Sequence, residues 1–319
     1  MHQDEVHRQP SIMYLGLTSA EVVLIDAQII LLQGRIRELK SQRNALAPIS
    51  SLPEDVLAHV FQLTHDGPSV TCNTHNAFVV SWVCRLWHKV AVRSQKLWNY
   101  IDTPIPQLAQ LCFEHVSSLQ LELQLHLNPS SEKLLRIIIP ELGRTSTLSL
   151  RGSTSNPREL YHVPGFTLYP APTLKSLSLE RFQLPEGIQM FTGIPPPLHS
   201  LSLSHCNFHW DAPVFGVGLT SLSITSPISP MSLGGFLDML RHVPGLKTLR
   251  LENAFRSIST SLAPLQRTAV HLPALTSLAL LSCSTRLCTA ILLGLTFTNQ
   301  ANVVLNLHDN SEAGASFSL

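Results

Sequence analysis

The sequence predicts an α+β chain: an N-terminal amphipathic helix able to enter a coiled coil, a compact helical module, and then an α/β solenoid built on a parallel sheet. Three observations predict it. Apolar residues between Val22 and Leu46 recur at alternating steps of three and four. From Leu52 to Ile101 they follow helical spacing in short runs separated by turn residues. Beyond Pro104, short leucine-x-leucine segments return at intervals of about 20 to 30 residues.

Composition narrows the function classes. The 319 residues are 44% hydrophobic, ample for a sizeable core. Only 13% are charged and the net charge is +1, so the electrostatic footprint of a nucleic-acid or acidic-membrane binder is missing. Neither is an expected partner; recognition by shape and apolar contact is. The first residues are polar and charged, unlike a secretory signal, and the longest clean apolar run, Ala290 to Leu295, is far too short to cross a bilayer. A soluble protein of the cytoplasm and/or nucleus is expected. The six cysteines form no C-x-x-C pair or regular framework, which predicts reduced thiols.

Taken in order, residues 1–17 are expected to be disordered, and 18–46 form the first helix. Its seam is Val22, Ile25, Ile29, Leu32, Ile36, Leu39 and Leu46, with Arg43 at the one polar seam position and Arg35, Arg37, Glu38 and Lys40 off it. Such a helix either docks on its own protein or pairs with another in a coiled coil. Ala47-Pro48 ends it, because the residue before a proline is pushed out of helical geometry.

The helical module spans 47–101. Ser51-Leu52-Pro53-Glu54 has capping-box spacing, and Val56, Leu57, Val60 and Phe61 then share one side of a short helix. Thr64 to Asn76 contains Asp66-Gly67-Pro68 and reads as a loop; helical spacing returns with Val80, Val83, Cys84, Trp87, Val90 and Ala91.

Residues 102–308 carry the repeats: Val116-x-x-Leu119-x-Leu121, Leu148-x-Leu150, Leu174-x-x-Leu177-x-Leu179, Leu198-x-x-Leu201-x-Leu203, Leu219-x-x-Leu222-x-Ile224, Leu246-x-x-Leu249-x-Leu251 and Leu275-x-x-Leu278-x-Leu280, with Leu305-x-Leu307 as a candidate eighth. This spacing is that of irregular leucine-rich repeats. Helices between strands are predicted after Ser131, after Ser232 and around Leu287 to Leu295. Residues 309–319 form a polar tail.

The run Leu52-Pro53-Glu54-Asp55-Val56-Leu57-x-x-Val60-Phe61, followed by Val83-Cys84-Arg85-x-Trp87-x-x-Val90-Ala91 and Leu97-Trp98-x-x-Ile101, closely resembles the F-box. The match covers about fifty residues. In that family the F-box is a three-helix unit that docks on the Skp adaptor of a cullin-RING ubiquitin ligase, while the rest of the chain captures the protein to be ubiquitinated. The order of coil, F-box and irregular leucine-rich repeats is similar to that of a large group of fungal F-box proteins. The resemblance implies that Leu52 and Pro53 enter the adaptor's pocket and that Val56, Leu57, Val60 and Phe61 extend that surface. Val83, Cys84, Trp87 and Trp98 would divide between the adaptor and the module's own core. The long polar loop from Thr64 departs from the family pattern, as does Ser94-Gln95, where a proline usually precedes Leu-Trp.

No phosphate-binding, dinucleotide, nucleophile-elbow or H-E-x-x-H motif is present in the sequence, so no catalytic residue, cofactor or metal is predicted. His205, Cys206 and His209 cluster, but further zinc ligands at suitable spacing are missing. If the strands stack in parallel, the residues beside the inward leucines line one open face. That face is rich in serine, with Arg151, Glu180, Arg250 and Glu252 at its margins as candidate target contacts; Phe208 and Trp210 are either target-binding anchors or staples of their own loop. The expectation is a non-catalytic substrate receptor of a ubiquitin ligase. The alternative is a leucine-rich-repeat interaction scaffold that never joins one.

Overall fold

The computed structural model describes residues 19–63, 73–153, 169–183, 191, 196–208, 215–228, 232–255, 269–298 and 300–307. They form a mixed helix and strand chain with an N-terminal helix and a parallel sheet.

Helix α1, Ser19–Ala45, realises the heptad-spaced segment. It is followed by a 3-10 turn at Pro48–Ser51 whose first position is a proline, where the missing N–H costs no hydrogen bond. Three short helices come next: α2 (Glu54–Leu63), α3 (Asn73–Trp82) and α4 (Arg85–Arg93). The helical spacing from Val80 to Ala91 is therefore split. The backbone at Cys84 is fully extended, which separates α3 from α4. Their core is Leu57, Phe61, Ala77, Phe78, Val90, Ala91, Leu97 and Trp98.

The capping box does not form. Ser51 Oγ donates to the Pro48 carbonyl at 2.7 Å, and the Glu54 carboxylate accepts from Lys89 Nζ at 2.6 Å and Arg93 Nη1 at 3.3 Å. Two cations on α4 hold the carboxylate more strongly than one backbone amide can. The bond from Lys89 is the chief reason the Glu54 carboxyl lies below its usual range, and it ties the start of α2 to α4.

A parallel sheet runs through the remainder. Strands β1 (Tyr100–Ile101), β2 (Leu121–Leu127), β3 (Thr145–Gly152), β4 (Ser176–Glu180), β5 (Ser200–Ser204), β6 (Ser221–Thr225) and β7 (Thr248–Glu252) lie side by side in chain order. After β7, the short β8 (Val270–Leu272) leaves the sheet, and β9 (Ser277–Cys283) returns to it. Then β10 (Leu295–Phe297) pairs with β8, and β11 (Asn302–Leu307) forms the far edge beside β9. Helices α5 (Pro106–His115), α6 (Glu132–Ile138), α7 (Leu233–Arg241) and α8 (Thr285–Leu293) lie between strands. Ser232 and Ser284 cap α7 and α8, accepting from the Gly235 and Leu287 amides. Ser131 instead accepts from the Asn128 amide.

The period-2 alternation sends one leucine column inward. Leu148, Leu177, Leu201, Leu222, Leu249 and Leu278 are in register across β3 to β9, as are Leu150, Leu179, Leu203, Ile224, Leu251 and Leu280. Every one of them is buried. Each such side chain contributes about 1.5 to 3 kcal/mol by leaving water, packed in one core with its neighbours in the column and with buried helix residues such as Ile138, Phe236 and Ile291.

Two predicted registers are corrected at the ends. The partners of Leu148 and Leu150 on β2 are Leu123 and Leu125, not Leu119 and Leu121. The longer alternation Leu121, Leu123, Leu125, Leu127 buries four leucines where the predicted register would bury two. At the other edge, Val303 and Leu305 face Leu278 and Leu280, so Leu305-x-Leu307 is displaced by one pleat.

A recurring turn ends the middle strands. Arg181, His205, Ser226 and Asn253 directly follow β4, β5, β6 and β7 with φ between 44° and 64°, left-handed geometry that L-residues adopt at a cost. Their amides donate to the next strand, for example Arg181 N to Ser204 O at 2.9 Å and His205 N to Thr225 O at 2.9 Å. The residue after each turn then points into the core: Phe182, Cys206, Pro227 and Ala254 are buried. Cys206 Sγ donates to the Leu179 carbonyl at 3.3 Å. Burial pushes the Cys206 thiol up to about 11 and that of Cys283 up to about 12, so both stay protonated at neutral pH. The five described cysteines are free thiols; Cys72 lies outside the described residues.

Candidate functional site

On α2 the apolar arc is wider than one core requires. Successive residues turn by about 100°, so Leu57 and Phe61 share one line while Val56 and Val60 share another a quarter-turn away. The first pair is buried and packs against α4, with the Phe61 ring 4.8 Å from Trp87. The second pair remains exposed, together with Leu52 and Pro53 just before the helix and Leu63 at its end. Apolar side chains thus form a stripe beside a core that is already closed.

A second exposed apolar stripe ends α3. Ala77, Phe78 and Ser81 face inward, whereas Val79, Trp82 and Val83 face out. Trp82 is 71% exposed, an unusual state for the largest apolar side chain. Sequence spacing put Val83 in this group but passed over Trp82, Val79, Ile49 and Leu63. The signal for Trp82 was its place three residues after Val79 and one before Val83, at the rim of the inward face, where its ring lies 5.9 Å from that of Phe78.

The remaining residues of the predicted adaptor surface divide between core and surface. Leu57, Phe61 and Trp98 belong to the module's own core, and Cys84 and Trp87 are half-buried. Trp98 is 1% exposed. Its indole N–H donates to the Ala91 carbonyl at 2.8 Å, and its ring meets Phe78 edge-on at 5.2 Å and His115 at 4.6 Å. Burial in this packing holds the His115 imidazole below its usual range.

The open face of the sheet carries Ser176, Ser200 and Ser221 in one register row and Ser178, Ser202 and Ser223 in another, all half-buried. Its two predicted arginines are each paired with a predicted glutamate. Arg151 Nη2 lies 2.8 Å from Glu180 Oε1 on the neighbouring strand, and Arg250 Nη2 lies 2.8 Å from Glu252 Oε2 along its own. Both pairs are largely exposed and so contribute little to stability. Phe208 is corrected: it is a core residue, 3% exposed and 5.7 Å from Phe215, in the segment that follows the left-handed turn at His205. Trp210 and His209 lie outside the described residues.

Among the described residues no group of three or more His, Cys, Asp or Glu side chains is placed to hold a metal ion. No described helix is long and apolar enough to cross a membrane. An open cleft between the helical module and the first edge of the sheet is lined by Gln62, Lys96, Asn99, Gln120 and Glu122.

No known protein family, curated protein or solved structure matches the chain.

Proposed function

We propose that the chain is a non-catalytic substrate receptor of a Skp-cullin-F-box ubiquitin ligase. The helices α2 to α4 dock on the Skp-type adaptor as an F-box, and the strands from β2 onward act as a leucine-rich-repeat solenoid that holds the protein to be modified. The observation that carries this reading is the exposed stripe of Leu52, Pro53, Val56 and Val60 beside a separately closed core. Contiguous apolar surface of this kind marks a protein-binding site. Trp82 and Val83 add a second anchor of the type that dominates interface energetics.

Holding target and ligase on one chain makes ubiquitin transfer effectively intramolecular, so the rate gain comes from effective concentration. The target is held by the serine-rich open face. With Arg151 and Arg250 already paired to Glu180 and Glu252, that face offers hydrogen bonds rather than net charge, and selectivity rests on shape.

The test is a pull-down of purified Skp-type adaptor by the full chain and by Leu52→Ala/Pro53→Ala. Wild type is expected to bind, and the double variant to bind at least about tenfold more weakly, with an unchanged circular dichroism spectrum. Absence of wild-type binding by folded protein, or equal binding by the variant, would overturn the reading. The first of those results favours an interaction scaffold outside any ligase.

A further inference from the structure

Helix α1 is 27 residues long, about 40 Å. Its seam is bare: Val22, Ile25, Ile29, Leu32, Ile36 and Leu39 are 43% to 61% exposed. The expectation that it docks on its own protein is not met among the described residues. We propose that its partner is a second copy of this chain, paired antiparallel in a two-stranded coiled coil.

The seam sets the layers. With Val22 at heptad position a, the a positions hold Val22, Ile29, Ile36 and Arg43, and the d positions hold Ile25, Leu32, Leu39 and Leu46. In an antiparallel pair each a residue layers on a d residue of the second copy, so Ile29 meets Leu39 and Ile36 meets Leu32.

Charge sets the partner and its direction. On the flanks of the seam, Glu21 and Asp26 lie near the start of the helix and Arg35 and Lys40 near its end. A parallel pair would place Glu21 against Asp26 of the second copy and Arg35 against its Lys40, each twice, and would set two Arg43 side by side inside the seam. An antiparallel pair that layers Val22 on Leu46 of the second copy reverses this. Asp26 then faces Lys40 twice, and Arg43 layers on Ile25, one residue from Asp26.

The antiparallel arrangement has one like-charge contact, Arg35 with its own copy, and Arg35 is already bound to Glu38 at 2.9 Å. Single exposed pairs are weak. Four repulsions and a buried arginine pair on one side, against two attractions and one shielded contact on the other, decide the direction. Opposed helix dipoles act in the same sense.

The assembly has a consequence for the rest of the chain. Two helical modules stand at opposite ends of the coil, about 40 Å apart, so each keeps its own exposed stripe. Val23, Leu24, Ile30 and Leu31 sit at outer heptad positions and stay exposed. The proposal is independent of the ligase reading.

Sedimentation of the full chain tests it. The wild type is expected to reach the mass of two copies, and Ile29→Asp/Ile36→Asp to sediment as one with the same unfolding midpoint. Direction is read from Asp26→Lys, which weakens an antiparallel dimer by roughly tenfold, and from Asp26→Lys/Lys40→Asp, which restores it. A single-copy mass at every concentration, a mass above two copies, or Asp26→Lys leaving the dimer unchanged would overturn the proposal. Tightening by Asp26→Lys would also overturn it, because that is the outcome for a parallel coil.

Discussion

Leu249→Ala is expected to destabilise the protein by about 2 to 5 kcal/mol in chemical denaturation. Leu249, the second residue of β7, is fully buried, in register with Leu222 on one side and Leu278 on the other. Truncation removes its transfer energy and leaves a void that two β-strands with fixed spacing cannot close. The effect should be felt along the column, because each inward leucine is flanked by leucines of the adjacent strands within one continuous core. Arg250→Ala is the control: one residue along, the side chain turns to the open face and is about half exposed, so a change within about 0.5 kcal/mol is expected. Equal effects at the two positions would mean that the inward and outward faces of the strand are misassigned.

Trp98→Ala is expected to cost about 3 to 5 kcal/mol, and it acts on the helical module rather than the sheet. The indole fills the space between Phe78 and His115 and donates to the Ala91 carbonyl near the end of α4, which also accepts from the Ser94 amide at 3.0 Å. Alanine leaves a cavity and removes one of the two hydrogen bonds to that carbonyl. Trp98→Phe separates the two contributions, since it keeps most of the ring volume and loses the donor; an intermediate loss is the expected result. Denaturation that shows no change for Trp98→Ala would place the tryptophan at the surface, as the family resemblance allows.

Most of the sheet was legible because period-2 alternation and repeat length are written directly in the leucines from Leu148 to Leu280. The helix at Ser19–Ala45 was equally plain from its heptad spacing. Two strands were misregistered for different physical reasons. Strand β2, between β1 and β3, follows the longer alternation from Leu121 to Leu127, which buries four leucines. Strand β11 is the far edge with a neighbour on one side only, and its side chains stay exposed, so burial does not hold it to the leucine motif. Helix α5 was not foreseen, since Leu108, Ala109, Cys112 and Phe113 follow too closely on Pro104 and Pro106 to stand out from the strand pattern that comes next.

Less of the candidate site could be read. Val56, Leu57, Val60 and Phe61 form a single apolar stripe in sequence, and only packing against α4 divides it into a buried pair and an exposed pair. Trp82 and Trp98 illustrate the same limit. Both lie in apolar surroundings, yet one is 71% exposed and the other 1%, because the extended residue Cys84 interrupts the helix and sets which face α3 turns toward α4. Phe208 was misread because it follows a left-handed turn three positions earlier, at His205, and nothing in the side chain of histidine announces that conformation.

The central claim is that the exposed stripes of α2 and α3 are where a Skp-type adaptor docks. Amide hydrogen exchange of the full chain, with and without saturating adaptor, addresses it most directly. The account predicts slowed exchange at residues 49–63 and 79–84, with the strands from β4 to β9 unchanged. Protection of the sheet face with none in α2, or identical exchange in both samples, would contradict it.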